Sequence, residues 1–479
     1  MKSCDPAASR RGLMCSVIGG LCAAWLGTAC SEAHPADSLE QLQQGLRNGP
    51  PRHSRESGRS HWGHRRGHRG GSHSGGTPTP PVSCDLSQFI DQDRLFATIS
   101  SDLARLDADD QPFARYLSVA DRANACEGSL EGDRAALSKL VNSLSISATV
   151  TQPVAVDAAE TLYRIDLRDY DWDREIVVNG IRFNDAWEAI IAESPYALPF
   201  VGDDADDASA DTGTTVPVLF GSAFVAAAAS APLYYALIDV LPDLDDQLTD
   251  GLGIDVANAR ASGETVRAGF VADGLDGETQ FLAERFFIEF RAGVAWQISE
   301  VGGDLFDDPL GTPQGERELV FTLPNGLQGH IVADANGRLR NDSGVLVDFL
   351  EADQGAKMAS SFFRLRAQGV DVQDEVRPFV LANPRNFRRA ERDAILAAFP
   401  PAAELEAALD ADRSNFFAAS LARLGLDIDD APEPVSQTFA NFSADVDLAT
   451  AAGELMVTAD DLRDNLSLLD PVLSVLERG

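Results

Sequence analysis

The stretch from Glu318 to Arg377 begins ELVFTLPNGLQGHIVADANGRLRND and continues, after a short insert, as MASSFFRLRAQGVDVQDEVR. Its first half has the pattern of a β-hairpin. LVFTL is a short, mostly apolar strand, and Pro324-Asn325-Gly326 is turn chemistry, because Asn and Gly tolerate the positive φ of a tight turn. LQGHIVADANG is the return strand, ending at a second Asn-Gly. The second half predicts a helix over about Gly355 to Gln368, closed by Gly369 at its C-terminus.

Outward from this stretch the apolar spacing is mostly helical. DRLFATISSDLARL and FARYLSVADRANAC repeat apolar residues at three and four, as amphipathic helices do. RAALSKLVNSLSI places Leu137, Leu140, Val141 and Leu144 on one stripe. TLYRIDLRDYDWD switches to period two, as a strand does. The chain from Val218 to Ile238 carries no charge and is long enough to span a bilayer. It is mostly Ala and Ser and is interrupted by Pro232, which favours a buried helix over Phe220 to Ser230 with Pro232 opening the next. A helix is expected around Gln280 to Phe287, and VAWQIS reads as a strand. From residue 371 onward the pattern is helical, with a break at Pro400-Pro401 and a capping box at Thr458 to Asp461. The expected fold class is α+β, mainly α: helical domains with a small antiparallel β-hairpin element, preceded by a disordered tether.

The 479 residues carry a formal charge of −36. Residues 1–83 hold 10 Lys/Arg and 5 Asp/Glu, leaving 29 against 70 in the remainder. A body that acidic repels phosphates, which argues against nucleic acid as a partner. The N-terminus reads as an export signal: Lys2, Arg10 and Arg11 precede a short uncharged run from Leu13 to Leu26. The run ends LGTAC, similar to a bacterial lipobox with Cys30 as the lipidated residue, so residues 1–30 are expected to leave a lipoprotein anchored in the membrane, periplasmic or outer-membrane. Ordinary cleavage without lipidation is the other reading. Ser9 to Met14 also resembles a twin-arginine signal, against an ordinary basic n-region.

Residues 31–83 are rich in Gly, Ser, Pro, Arg and His and too poor in large apolar residues to offset ordering entropy. They read as a solvated tether; metal capture by His53, His61, His64, His68 and His73 is the competing reading. Cys84 and Cys126 remain after the signal, an even pair in an oxidising compartment, and a disulfide between them is expected. The folded chain divides into 84–200, a helical domain, 216–350, a mixed region, and 351–479, a helical region.

Three long motifs and the opening stretch carry a family resemblance. RYLSVADRANA, LSKLVNSLSI, RIDLRDYDW and the FTLPNGLQG turn followed by Asp374-Glu375-Val376-Arg377 resemble those of uncharacterised bacterial cell-envelope proteins with a cytochrome-c-like domain. The resemblance covers most of the chain from about 90 to 470. In that family a helix with a C-x-x-C-H motif precedes the D-E-V-R run, which implies covalent haem. Here the thioether positions fall on Phe362 and Leu365 and the axial position on Arg366. Attachment needs two thiols, and ligation needs a lone pair that a protonated guanidinium lacks. No Cys follows Cys126, so no other such motif exists in the chain. No cofactor is therefore expected.

Other chemistry is sparse. Asp169, Asp171 and Asp173 have the spacing of the first ligands of a calcium loop, but Arg174 and Gly180 replace the required Gly and Glu, so no metal site is expected and ion pairing with Arg164 and Arg168 is the better reading. Glu284-Arg285-Phe286 lacks the histidine that the family carries there. His330 is the only histidine after residue 83 and reads as a half-buried strand residue. No nucleophile–base, P-loop, H-E-x-x-H or dinucleotide pattern is present, so no catalytic residue is assigned. The expected function is a non-enzymatic envelope lipoprotein, a haem-less relative of cytochrome-c-like proteins that binds an envelope protein partner or scaffolds a complex. The alternative is electron transfer or redox sensing with haem held non-covalently against Phe362, Phe363, Leu365 and His330, or supplied by a haem-bearing partner.

Overall fold

Ala114–Ser118, expected within a helix, is instead a strand, β1, buried along its whole length. Its period is hidden because both faces are covered, so that Arg115 and Ser118 are buried along with Tyr116 and Leu117 and no apolar–polar alternation marks a buried and a wet face. The computed structural model describes residues 88–465 apart from 127–128, 195–196, 199–217, 276, 290–291, 349–350, 352–353 and 430–431. The export segment, Cys30, the tether and Cys84 lie outside the described residues. Leu86–Gly479 belongs to one unit.

β1 lies at the centre of a five-stranded sheet in the order β2 (Val154–Ala155), β3 (Leu162–Asp166), β1, β7 (Val218–Phe220), β6 (Ala197–Leu198). β1 and β7 run parallel; the other neighbours are antiparallel. A separate hairpin joins β4 (Ile176–Val178) and β5 (Ile181–Phe183). Around the sheet stand α1 (Gln92–Leu103), α2 (Ala120–Ala125), α3 (Glu131–Ser143), α4 (Ala186–Glu193), α5 (Gly221–Ala228) and α6 (Leu233–Leu237). α1 starts where the Asp91 side chain accepts from Arg94 N, satisfying an otherwise orphan donor, and it buries Leu95 and Ile99. The helix expected over Phe220 to Ser230 is α5, and Pro232 stands at the N-cap of α6. Among the described residues no helix is long and apolar enough to cross a membrane.

After α7 (Val256–Ser262) comes the largest correction. β8 (Val266–Gly274), β9 (Gly277–Phe287), β10 (Val294–Glu300), β11 (Arg317–Thr322) and β12 (Gln328–Ala333) form a five-stranded antiparallel sheet in the order β12-β11-β10-β9-β8. The predicted hairpin is its last two strands, not an isolated element. The helix expected at Gln280 to Phe287 is β9. Val294, Trp296, Ile298 and Val320 pack with Val370, Val372, Leu405 and Leu409, while Ala295, Leu319, Phe321 and Ile331 join the main core. With apolar partners on both faces, β9 shows no polar-out alternation to separate it from a helix. The fold is therefore α+β with two substantial sheets rather than mainly helical.

β13 (Asp342–Val347) pairs with β14 (Gly355–Lys357). The helix expected from Gly355 is only α8, Ser360–Leu365, because β14 takes the first residues. Gly369, expected to close the helix, lies beyond its C-cap, Arg366; it has a positive φ and its N–H donates to Arg366 O. The tail holds α9 (Val376–Ala382), α10 (Arg389–Ala398), α11 (Ala402–Asp412), a π-turn at Arg413–Ala418, α12 (Ala419–Arg423), α13 (Pro434–Phe442), α14 (Leu448–Glu454) and α15 (Ala459–Asn465). Thr458 Oγ1 accepts from Asp461 N at 3.1 Å and donates to its carboxylate.

Candidate functional site

The positions that the family resemblance aligns with a haem motif fall on α8, where Phe362 is fully buried and Phe363 nearly so. The imidazole of His330, on β12, lies 6.1 Å from the Phe362 ring and 6.0 Å from the Phe363 ring, centroid to centroid. Leu365 packs at the edge of the same core. His330 was expected to be half-buried; it is 2 % exposed. Its backbone N–H donates to Tyr234 Oη at 3.1 Å, and its ring Nδ1 has no hydrogen-bond partner. Burial, followed by the charges of Arg366 and Lys139, pushes its pKa down to about 3, so the ring is neutral. Arg366, just past the end of α8, forms a two-toothed pair with the buried carboxylate of Glu318: Nε lies 2.7 Å from Oε1, and Nη2 contacts Oε2. Thiols are absent, the axial residue is a paired guanidinium, and phenyl rings occupy the space beside the imidazole. These residues do not fit a covalently attached haem.

Beside this core, Lys139 Nζ lies 2.9 Å from Glu433 Oε1, with both side chains buried, and 5.7 and 5.6 Å from the ring centres of Phe363 and Phe417. Lys139 belongs to the LSKLVNSLSI motif. The other motif residues are likewise committed to the fold. Tyr116 donates to Asp102, whose carboxylate also receives Arg164 Nη1. Trp172 Nε1 donates to Leu144 O. Asp374 accepts from Gly269 N on the sheet edge and from Val376 N and Arg377 N of α9. Arg377 in turn donates to the carbonyls of Leu396 and Phe399. Asp166 caps a 3₁₀ turn and pairs with Arg168, which also takes Asp110, whereas Arg164 pairs with Asp102 and not with Asp169, Asp171 or Asp173. Glu284 takes Arg260 and Arg267, while Arg285, the next residue on the strand, takes Asp412. Cys126 is disulfide-bonded; Cys84, its expected partner, lies outside the described residues.

Two clefts were not foreseen. The larger, about 390 Å³, lies between the antiparallel sheet and α11. It is mostly apolar, and its two charged residues are already engaged: Asp412 accepts from Arg285 Nε at 2.7 Å and Trp296 Nε1 at 3.0 Å, and Arg413 Nε donates to Gln368 O at 2.8 Å. The smaller, about 310 Å³, lies where α2, α13 and α14 meet. Asp121 forms part of it and is 3 % exposed. One oxygen, Oδ2, accepts from Ser222 Oγ at 2.7 Å; the other, Oδ1, has no hydrogen-bond partner. Glu454 lines the same cleft. Burial, and next the Asp121 charge, push its carboxyl up to about 7, and burial pushes Asp121 up to about 6. Asp133 also lines it, 3.7 Å from Arg122 Nε. Gly453 lets the two helices meet, since a Cβ there would strike the Asp121 carbonyl. In the sequence Asp121-Arg122 falls within the amphipathic helix expected over FARYLSVADRANAC. The strand that ends at Ser118 resets the phase and turns Asp121 inward.

No protein-family model, curated protein or solved structure matches this chain.

Proposed function

We propose that this protein is a non-enzymatic lipoprotein of the cell envelope, a haem-less relative of cytochrome-c-like envelope proteins that binds an envelope partner. One observation carries the reading: the Phe362–Phe363–His330 core, closed by the Arg366–Glu318 pair, fills with side chains the position where the related motif would attach haem. The motif residues support it, because their polar groups hold elements together and leave no oriented nucleophile and base. Cys30 would supply the membrane anchor and residues 31–83 the reach. The second reading, redox function with non-covalent haem, draws on His330 Nδ1, a neutral imidazole nitrogen without a partner.

The deciding experiment is an absorption spectrum, oxidised and dithionite-reduced, of the full chain purified from its native envelope, followed by crosslinking in intact cells. A spectrum without a Soret band, together with a discrete crosslinked partner, is expected. A Soret band with reducible α and β bands would overturn the haem-less reading. Absence of any specific crosslink would overturn partner binding.

A further inference from the structure

We propose that Asn179, in the loop of the β4–β5 hairpin, is a site of spontaneous covalent modification. Its side-chain amide is lost through a cyclic imide formed with the Gly180 nitrogen, whereas the same residue pair at Asn325-Gly326 and at Asn336-Gly337 is held back by the fold. This is independent of whether the protein carries haem or binds a partner.

Asn-Gly is the pair most open to this reaction, because no side chain on the glycine hinders its nitrogen or its rotation. Beyond the three named, Asn48-Gly49 lies outside the described residues. The glycine N–H loses its proton to solvent base, and its nitrogen bonds to the asparagine Cγ. Nδ2 takes a proton from water and leaves as ammonia. Water then opens the imide. Cleavage of the bond between Cγ and nitrogen leaves aspartate; cleavage at the main-chain carbonyl leaves isoaspartate, with one more carbon in the backbone. The reaction needs a glycine nitrogen free to attack and an asparagine side chain free to turn toward it.

The fold treats the three pairs differently. Asn325 is buried. Its Nδ2 donates to Asn142 O at 2.8 Å, its Oδ1 accepts from Leu327 N at 3.0 Å, and Gly326 N donates to Leu323 O at 2.9 Å. Asn336 is exposed, but Gly337 is buried against Arg317 and Asp243, and its nitrogen donates to Asp334 O at 3.0 Å. Asn179 and Gly180 are both exposed, and a Cβ on Gly180 would meet nothing within 4 Å beyond its chain neighbours. Neither the Asn179 side chain nor the Gly180 nitrogen makes a hydrogen bond among the described residues. The two residues form the loop between the paired Val178 and Ile181, with φ of +51° and +78°. The Asn179 Cα–C bond must rotate before nitrogen and Cγ meet. A two-stranded hairpin of three residues a side, with Val177, Ile181 and Arg182 exposed, opens locally at small cost. The Asn325 turn opens only if its bonds to Asn142 and Ser420 break as well. Reaction at Asn179 adds a carboxylate to a hairpin that already carries the Glu175–Arg182 pair, and isoaspartate lengthens the loop that sets the Val178–Ile181 register.

The test is incubation of the folded full chain at pH 8, with a parallel sample in enough urea to unfold it. Peptide mapping by mass spectrometry follows the exchange of an amide NH₂ for OH at each asparagine over time, and isoaspartate is resolved from aspartate by its retention. In the folded chain Asn179 is expected to convert at least about tenfold faster than Asn325 and Asn336. In urea the three rates should converge. Conversion of Asn325 or Asn336 as fast as Asn179 in the folded chain would overturn the proposal. So would an Asn179 that stays intact in the folded chain while it converts in urea, because the hairpin would then protect it too.

Discussion

His330 is a titratable ring held where it cannot easily be charged. Its folded pKa is pushed down to about 3, from an ordinary value of 6.5. A group depressed in this way contributes stability that is complete above about pH 6.5 and is lost as pH falls toward 3, by about 1.4 kcal/mol per pH unit. Replacing it with an apolar residue of similar volume removes that dependence and the orphan nitrogen together. His330→Leu is therefore expected to be as stable as wild type or more so at pH 7. Its urea midpoint should fall less between pH 6 and pH 4. Parallel declines in the two proteins would show that His330 is not the group being charged.

The C-terminal end of α8 and the strand β11 are joined by Arg366 and Glu318. Arg366→Ala leaves the Glu318 carboxylate, 3 % exposed, without its cation, and is expected to cost about 3–5 kcal/mol. The double variant Arg366→Met/Glu318→Leu should recover most of that loss, because no unpaired charge is left behind. Denaturant unfolding of both decides it, and a double variant no better than the single would mean that lost packing dominates. The turn between β11 and β12 is another such joint. Asn325 is buried; its Nδ2 donates to Asn142 O at 2.8 Å and its carbonyl accepts from Ser420 Oγ at 2.7 Å. Gly326 has φ +88°, and a Cβ there would strike Ser420 Oγ. Gly326→Ala combines backbone strain with overpacking and is expected to cost about 2–4 kcal/mol. Gly180→Ala, at φ +78° with open space around it, carries the strain alone. Equal losses would show that the Ser420 contact is not a constraint.

Across the whole folded chain, 29 Lys/Arg face 70 Asp/Glu. Self-repulsion of that excess opposes compaction and is screened by salt, whereas buried pairs such as Lys139–Glu433 are screened far less. The melting temperature at pH 8 is expected to rise between low salt and about 0.5 M NaCl. A fall would show that exposed attractive pairs outweigh the repulsion. The charge, the turn at Pro324-Asn325-Gly326 and the α5 helix were all legible in the residue order, because each rests on local chemistry: counts, φ preferences and short-range periodicity. The strands β1 and β9 were not, since a strand covered on both faces loses its alternation, and only the neighbours that cover it say that it is one. Nor was the Asp121–Glu454 cleft. Its two carboxyls are more than three hundred positions apart, and their meeting depends on the close approach of α2 and α14 at Gly453. Residue order specified the local chemistry and its exclusions. Which polar groups were buried together, and so which lost their water and their partners, followed from long-range packing that no local pattern encodes.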